Sequence, residues 1–445
     1  MTDSSNSLIS PRSIKPSKKR RSRGAGSHTS RGLAAQVLLD VELHLDRFAP
    51  DLLSDALART NDWDPRDRAL ATELVYGCLR QQRRLDYTLA PLVRQGLDRV
   101  EPIARVLLRL GVYQIYCLDK IPGPIAVSSI QDAAREGGAG RLTPLLNGVL
   151  RKVVGTPEGL PTGKDIDSIG VRTSLPNWVV AQLIEAYGDD AELEGLALRS
   201  RPPLTVRPTL NKGGADATTA ALEAEGFRTT PAPHGTLTIS GPGDPFSTAA
   251  FKAGHFVPQD PASVAVMDFM GDVANIRVAD LCAGRGVKST GLADRGATVV
   301  AVDIAKKKLD SLERLARRLG VGESITTRAE DVSEPGAWTT ELGTFDRVLV
   351  DAPCSGLGTI RKHPEIAWRR MSTDLVPLVA LQKRLLAAAA ACVAPGGELV
   401  YAVCSFARAE GEVATPAGFE EVDRLDLRPS AGMDAFQARR FRKSP

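Results

Sequence analysis

Two cysteines hold the most reactive chemistry in this sequence. Cys354, in DAPCSGLGT, and Cys404, in YAVCSF, each follow a short apolar run with the length and composition of a buried strand, FDRVLVDAP (345–353) and ELVYAVC (398–404). Neighbouring strands lie about 4.8 Å apart. If these two are parallel neighbours, both thiols emerge at the edge where open α/β sheets hold ligands. A thiolate is the strongest nucleophile a side chain offers near neutral pH, so two thiols facing one pocket beside Asp351 suit covalent chemistry on an electrophilic carbon. The competing reading buries both as ordinary core cysteines.

Other polar residues converge on the same edge. Strands read at 276–283, 297–304, 324–331, 345–352 and 397–405 end at Cys282 with Gly284-Arg285-Gly286, then Asp303, Asp331, Asp351 with Cys354, and Cys404. A Gly-x-Gly turn lets backbone approach a ligand closely, and an acid ending the second strand accepts both hydroxyls of a ribose. Gly286-Val287-Lys288 lacks the third glycine of the dinucleotide fingerprint, which favours a mononucleoside-type ligand such as S-adenosylmethionine over NAD. Asp331 is placed to accept from an adenine amino group, and Asp351 heads the turn at the reacting centre.

The elements that must position these residues follow from period and punctuation. From Arg31 to about Val154 apolar residues recur at three and four, as in DRALATELVYGCLR and RVLLRLGVYQIYCL, with breaks at Asp64-Pro65, Glu101-Pro102 and Ile121-Pro122-Gly123-Pro124. The reading is an all-α bundle over 31–155. GTPEGLPTGKD (155–165) has linker composition. Residues 165–245 read as a small α+β module: helical runs at 178–187 and 189–200, a strand PLTVRPTL, a helix DATTAALEAEG and the hairpin-like FRTTPAPHGTLTISG. From 246 to 445 strands alternate with helices, the pattern of a doubly wound parallel sheet. Its helices are read at 305–319 and 372–393, the second stopped by Pro395-Gly396.

Composition narrows the setting. At 445 residues, 43% hydrophobic and 25% charged, the chain has the balance of an ordinary soluble multidomain protein. The longest apolar stretch, LLAAAAACVA, is too short to span a bilayer, and no secretory signal opens the chain, so no membrane association is expected. Six cysteines without C-x-x-C spacing argue against a metal site and against a disulfide framework, and fit a reducing cytoplasm. The net charge is +4, yet residues 1–31 contain eight Lys/Arg against Asp3 alone. A Ser/Gly/Lys/Arg segment of this kind over 1–30 reads as a disordered basic tail, either available to RNA phosphates or merely solubilising.

The motifs resemble those of a known family. DAPCSGLGT followed by IRKHPEIAWRR, then YAVCSF fifty residues after the first Cys, is similar to the Sun-type RNA (cytosine-5) methyltransferases. FKAGHFVPQDPAS resembles the segment before their first Rossmann strand, and LPNWVVAQLIEAYG with LTVRPTL resembles their small RRM-like module. The helical segment is similar to the NusB-like domain fused to bacterial members that modify small-subunit ribosomal RNA. The resemblance implies a NusB-like bundle, an RRM-like module and a class I methyltransferase domain of Rossmann type, in a monomeric enzyme acting on RNA. It implies that Cys404 attacks C6 of cytosine, that Cys354 helps eliminate the adduct, and that Asp351 holds the base edge, with Lys288 favouring a thiolate or steadying a carboxylate. It also implies an S-adenosylmethionine pocket from Cys282, Ala283, Gly284, Arg285, Gly286, Val287, Lys288, Asp303, Asp331 and Asp351.

Several positions stand apart from that pattern. DLCAGRGVK has Arg285 and Val287 where the family has Pro and Gly, and Arg285 is expected either to alter cofactor handling or to pair with the cofactor carboxylate. Val403 replaces a Thr, and the acidic helix expected after Cys404 shortens to ARAEGEVATP. Arg361, Lys362 and His363 are expected at RNA backbone, His255 in a structural role, and Trp368 either stacked on a base or in the core. Two rival readings remain at this point. One is a catalytically weakened RNA-binding factor for ribosome assembly or antitermination. The other is a DNA cytosine methyltransferase, which would use Cys354 as nucleophile and leave Cys404 without a role.

Overall fold

The computed structural model describes residues 29–44 and 47–445. The basic tail therefore lies, up to residue 28, outside the described residues. Thr29 already caps the first helix, its Oγ1 accepting from Gly32 N at 3.0 Å.

Seven α-helices among the described residues, from Ser30–Leu43 to Thr143–Val153, form the N-terminal bundle. The prolines that punctuate the sequence start helices: Asp64 caps Pro65–Arg80 by accepting from Arg66 N at 2.7 Å, and Pro102 opens Pro102–Cys117. Proline suits the first helical turn, whose N–H groups have no intrahelical acceptor. Leu74, Leu107, Leu108, Leu110, Ile130 and Leu146 fill the bundle core, all at 0% exposure.

A small antiparallel sheet follows, built from β1 (Thr205–Pro208), β2 (Arg228–Pro231), β3 (Leu237–Ser240) and β4 (Phe256–Pro258) in the order β2-β3-β1-β4. Two features correct the sequence reading of a module confined to 165–245. The sheet takes its fourth strand from beyond residue 245, because Phe256 packs with Val206, Leu222 and Leu237. The helices Asn177–Tyr187 and Ala191–Arg199 leave the module instead, and bury Val179, Leu183 and Leu198 against Leu357, Ile360, Phe406 and Ala435 beside the two cysteine motifs. A further helix, Ile166–Thr173, is capped by Asp165, which accepts from Ser168 N at 2.9 Å.

The C-terminal domain is a seven-stranded mixed sheet: β5 (Arg277–Asp280), β6 (Thr298–Asp303), β7 (Ile325–Ala329), β8 (Phe345–Asp351), β9 (Val393–Val403), β10 (Phe419–Leu427) and β11 (Phe436–Lys443). Its order is β10-β11-β9-β8-β5-β6-β7, with β5 to β9 parallel and the β10–β11 hairpin antiparallel. Helices cover both faces, over cores that include Leu292, Leu309 and Leu312 on one side and Leu385, Leu386 and Ala389 on the other. The helix Leu375–Ala391 ends at Cys392, and Pro395-Gly396-Gly397 falls within β9 rather than in a loop after the helix. After Cys404 comes a helix of one turn, Arg408–Gly411, and then the hairpin, which the sequence reading did not contain. Among the described residues no helix is long and apolar enough to cross a membrane.

The bundle is fastened to the C-terminal domain through the segment after Cys354. Trp368 donates from Nε1 to Leu79 O at 3.2 Å, and Glu365 accepts from Ala49 N at 3.1 Å. Of the two readings of Trp368, packing is the one observed.

Phe256 is fully buried, so Phe256→Ala should lower stability by about 3–5 kcal/mol. Urea unfolding followed by circular dichroism checks this, and a shift below about 1 kcal/mol would mean that β4 does not anchor the small sheet.

Candidate active site

The register of β8 on β9 pairs Asp351 with Ala402, so the two chains leave the sheet together. Cys404 follows the last residue of β9, and Cys354 lies three residues past the end of β8. Their sulfur atoms are 3.3 Å apart. Gly358 fixes the loop between them by donating its N–H to Cys404 O at 3.0 Å, and a Cβ there would meet Ala435 O at 2.0 Å, so only glycine fits.

Lys288, from the helix Val287–Asp294, donates to Asp351 Oδ2 at 2.6 Å. Burial opposes its charge, but Asp351, Cys404 and Asp280 together outweigh burial and hold the ammonium above its ordinary value. Of the two roles open to Lys288, steadying the Asp351 carboxylate is the direct contact, and its charge also reaches Cys404. The Cys354 thiol is pushed far up, first by its hydrogen bond with Cys404 and then by burial, so it stays protonated.

The loop from Cys282 to Lys288 links β5 to that helix. Gly286 has φ +80°, and a Cβ on it would lie 2.1 Å from Leu312 Cγ, which explains the second glycine of the Gly-x-Gly turn. Ala283 N donates to Val302 O at 2.9 Å, and Gly284 N to Asp303 Oδ2 at 3.0 Å, which binds the loop to the end of β6. Asp303 Oδ1 accepts from Ala305 N at 2.8 Å. Cys282 is pushed up by burial and by Asp280, Asp351 and Asp303, and remains a neutral thiol. Val287 begins the helix. Arg285 is exposed and shares a surface depression with Lys307, Lys308 and Arg314.

Asp331 corrects the reading that it ends the third strand: β7 stops at Ala329, and Asp331 is exposed in the following loop. Its carboxylate is held below its ordinary value by the Ser333 backbone N–H and hydroxyl. Arg361 and Lys362 also turn inward instead of towards RNA. Arg361 is 3% exposed and donates to Gly432 O at 3.0 Å, and Lys362 bonds Asp260 and Asp434. His363 is partly exposed and 4.0 Å from Glu365. His255 Nδ1 is buried, and the residue's carbonyl accepts from Thr209 N at 2.9 Å and Thr218 Oγ1 at 2.8 Å, a structural role.

Sequence reasoning missed Asp280, which is buried, accepts from Ser289 Oγ at 2.6 Å and keeps Oδ1 without a hydrogen-bond partner. It also missed Ser355, Ser405 and Glu410. The signal for the two serines was present, since each reactive Cys is followed by Ser.

The chain is similar to several known proteins. Residues 271–439 match the family model described as 16S rRNA methyltransferase RsmB/F, and residues 28–155 match the NusB family. The chain is 36% identical over 385 residues to ribosomal RNA small subunit methyltransferase B of Thermus thermophilus, a match covering 86% of this chain and 85% of that protein. It is 30% identical over 422 residues to a probable ribosomal RNA small subunit methyltransferase B of Bacillus subtilis, covering 91% and 90%. The crystal structure of PH0851 shares the fold, with a TM-score of 0.76 at 20% identity over 93% of this chain and 99% of that one.

Burial raises the Asp280 carboxyl to about 6 from an ordinary 3.8, against the Ser289 hydrogen bond. As pH rises through this interval the unfolded chain releases the proton first, so stability falls with pH. Asp280→Asn should lessen the loss of stability between pH 4 and pH 7 by up to about 3 kcal/mol, read from urea midpoints at the two pH values. A variant whose pH dependence matches the native chain's refutes the assignment.

Proposed function

The chain belongs to the RsmB/F family of 16S rRNA methyltransferases, and on that footing we propose that it transfers a methyl group from S-adenosylmethionine to C5 of a cytosine in small-subunit ribosomal RNA, with Cys404 as covalent nucleophile. The observation that carries the reading is the pair of thiols 3.3 Å apart beside the Lys288–Asp351 ion pair. The protein acts as a cytoplasmic monomer without a metal, and the bundle and the small module present RNA whose target base is unstacked into the pocket.

Cytosine C5 is a poor nucleophile until a thiolate adds at C6 and makes the ring enamine-like. Cys404 supplies that thiolate. Asp351, held by Lys288, accepts from the exocyclic amine of the base, and the Lys288 ammonium behind it offsets the negative charge that develops on addition. S-adenosylmethionine, when bound, supplies the electrophilic methyl that C5 takes. The C5 proton then leaves to a base, the C6–sulfur bond breaks and the aromatic ring returns. Cys354, kept protonated, donates a hydrogen bond to the departing Cys404 thiolate.

The residues fit such a cofactor. Each Asp303 oxygen accepts one hydrogen bond within the protein and keeps a lone pair for a ribose hydroxyl. Ile304, 69% exposed next to it, offers an apolar face to adenine. Asp280 Oδ1, buried and unpartnered two residues before Cys282, is an acceptor still open. Asp331 serves the adenine amine from its loop, and the exposed Arg285 is left for the outer rim.

Cys404→Ala should abolish both methylation and any covalent RNA adduct. Cys354→Ala should allow addition and methyl transfer but slow release, so a denaturant-resistant conjugate with methylated RNA accumulates. Denaturing gels of both variants, with bisulfite sequencing of the RNA, provide the test. Trapping by Cys404→Ala and not by Cys354→Ala would reverse the roles and favour the DNA-type mechanism.

A further inference from the structure

Behind the two thiols lies a buried polar network that the proposed chemistry does not use. Glu410, at 0% exposure, comes from the one-turn helix after Cys404. Its carboxylate accepts from Ser355 N at 2.8 Å, from Ser355 Oγ at 2.5 Å and from Gln382 Nε2 at 3.1 Å. Gln382 also donates to Pro353 O at 2.9 Å, so the residues on both sides of Cys354 are tied to one carboxylate. Ser355 Oγ lies 3.1 Å from Ser405 Oγ, which joins the residue after one cysteine to the residue after the other. Gln437, from β11, closes the circuit by donating to Ser405 O at 2.8 Å, and Tyr401 OH holds Glu410 O at 2.7 Å.

Resting on the reading of Cys404 and Cys354 as the reacting pair, we propose that Glu410 is a positioning residue: through Ser355 and Ser405 it holds the two thiols at working distance and keeps their roles apart.

Two physical arguments support this. A buried carboxylate is costly unless its lone pairs are met, and here backbone, hydroxyl and amide donors all meet it, so the loop of Cys354 has little freedom to drift. Negative charge behind Cys354 also disfavours its thiolate, in line with the contribution of Glu410 to the raised Cys354. Lys288, a cation paired with Asp351, stands on the Cys404 side. The thiols are thus distinguished by what stands behind each of them, an anion for one and a cation for the other.

The test uses the full chain carrying Glu410→Gln, which keeps the shape but turns one acceptor into a donor facing Ser355. With circular dichroism and S-adenosylmethionine affinity retained, kcat on a 16S rRNA transcript should fall roughly ten- to hundredfold at unchanged KM, as expected for losing a hydrogen bond to a charged group. Iodoacetamide labelling read by peptide mass spectrometry should show Cys354 reacting at lower pH than in the native chain. Native-like kcat together with a native-like labelling profile would overturn the proposal. If Glu410→Gln does not fold, Ser405→Ala decides: reduced kcat in the folded variant supports the bridge, and native kcat overturns it. Labelling needs no RNA, so it reports on Glu410 even if Cys404→Ala retained methylation and the proposed function itself failed.

Discussion

The site depends on the register of two parallel strands. Pairing Asp351 with Ala402 brings β8 and β9 out of the sheet at the same level, and everything reactive hangs from those two ends. Because side chains alternate across a strand, a slip of one residue would drive the residues fitted to one core into the other. Val348, Val350, Leu399, Tyr401 and Val403, all at 0% exposure, make such a slip prohibitive. The packing of the core, against which Cys354 and Cys404 themselves rest, therefore sets the distance between the two sulfur atoms.

Much of this was legible because strand ends announce themselves. FDRVLVDAP and ELVYAVC are apolar runs with a turn behind them, and the expected strands of the large sheet lie within a few residues of those observed. The parts that could not be read are those where charge misleads. FEEVDRLDL is polar enough to pass for a loop, yet it forms β10 at the edge of the sheet, where charged side chains are at home. Arg361 and Lys362 look like surface cations, but Asp260 lies a hundred residues earlier and Asp434 seventy later, and no local pattern discloses that they meet. Phe256 belongs to a sheet whose other strands end at Ser240, a long-range pairing invisible to periodicity.

The electrostatics of the edge follow one rule, that acids and thiols are sorted by their proximity to Lys288. Asp351 touches it and Cys404 feels it, whereas Asp280 is left with burial as its dominant influence and holds its proton to about 6. Cys282 and Cys354 have carboxylates for neighbours and stay neutral.

The fastening of the helical bundle at Trp368 and Glu365 has a metrical meaning. These residues lie only about a dozen positions beyond Cys354, so the helical bundle and the two thiols are separated by rigid contacts rather than by a tether. On the proposed function the molecule is a gauge: a nucleotide would be chosen by its span from a distant foothold as much as by its identity, and cytosines of the same local sequence at another span would fall outside its reach.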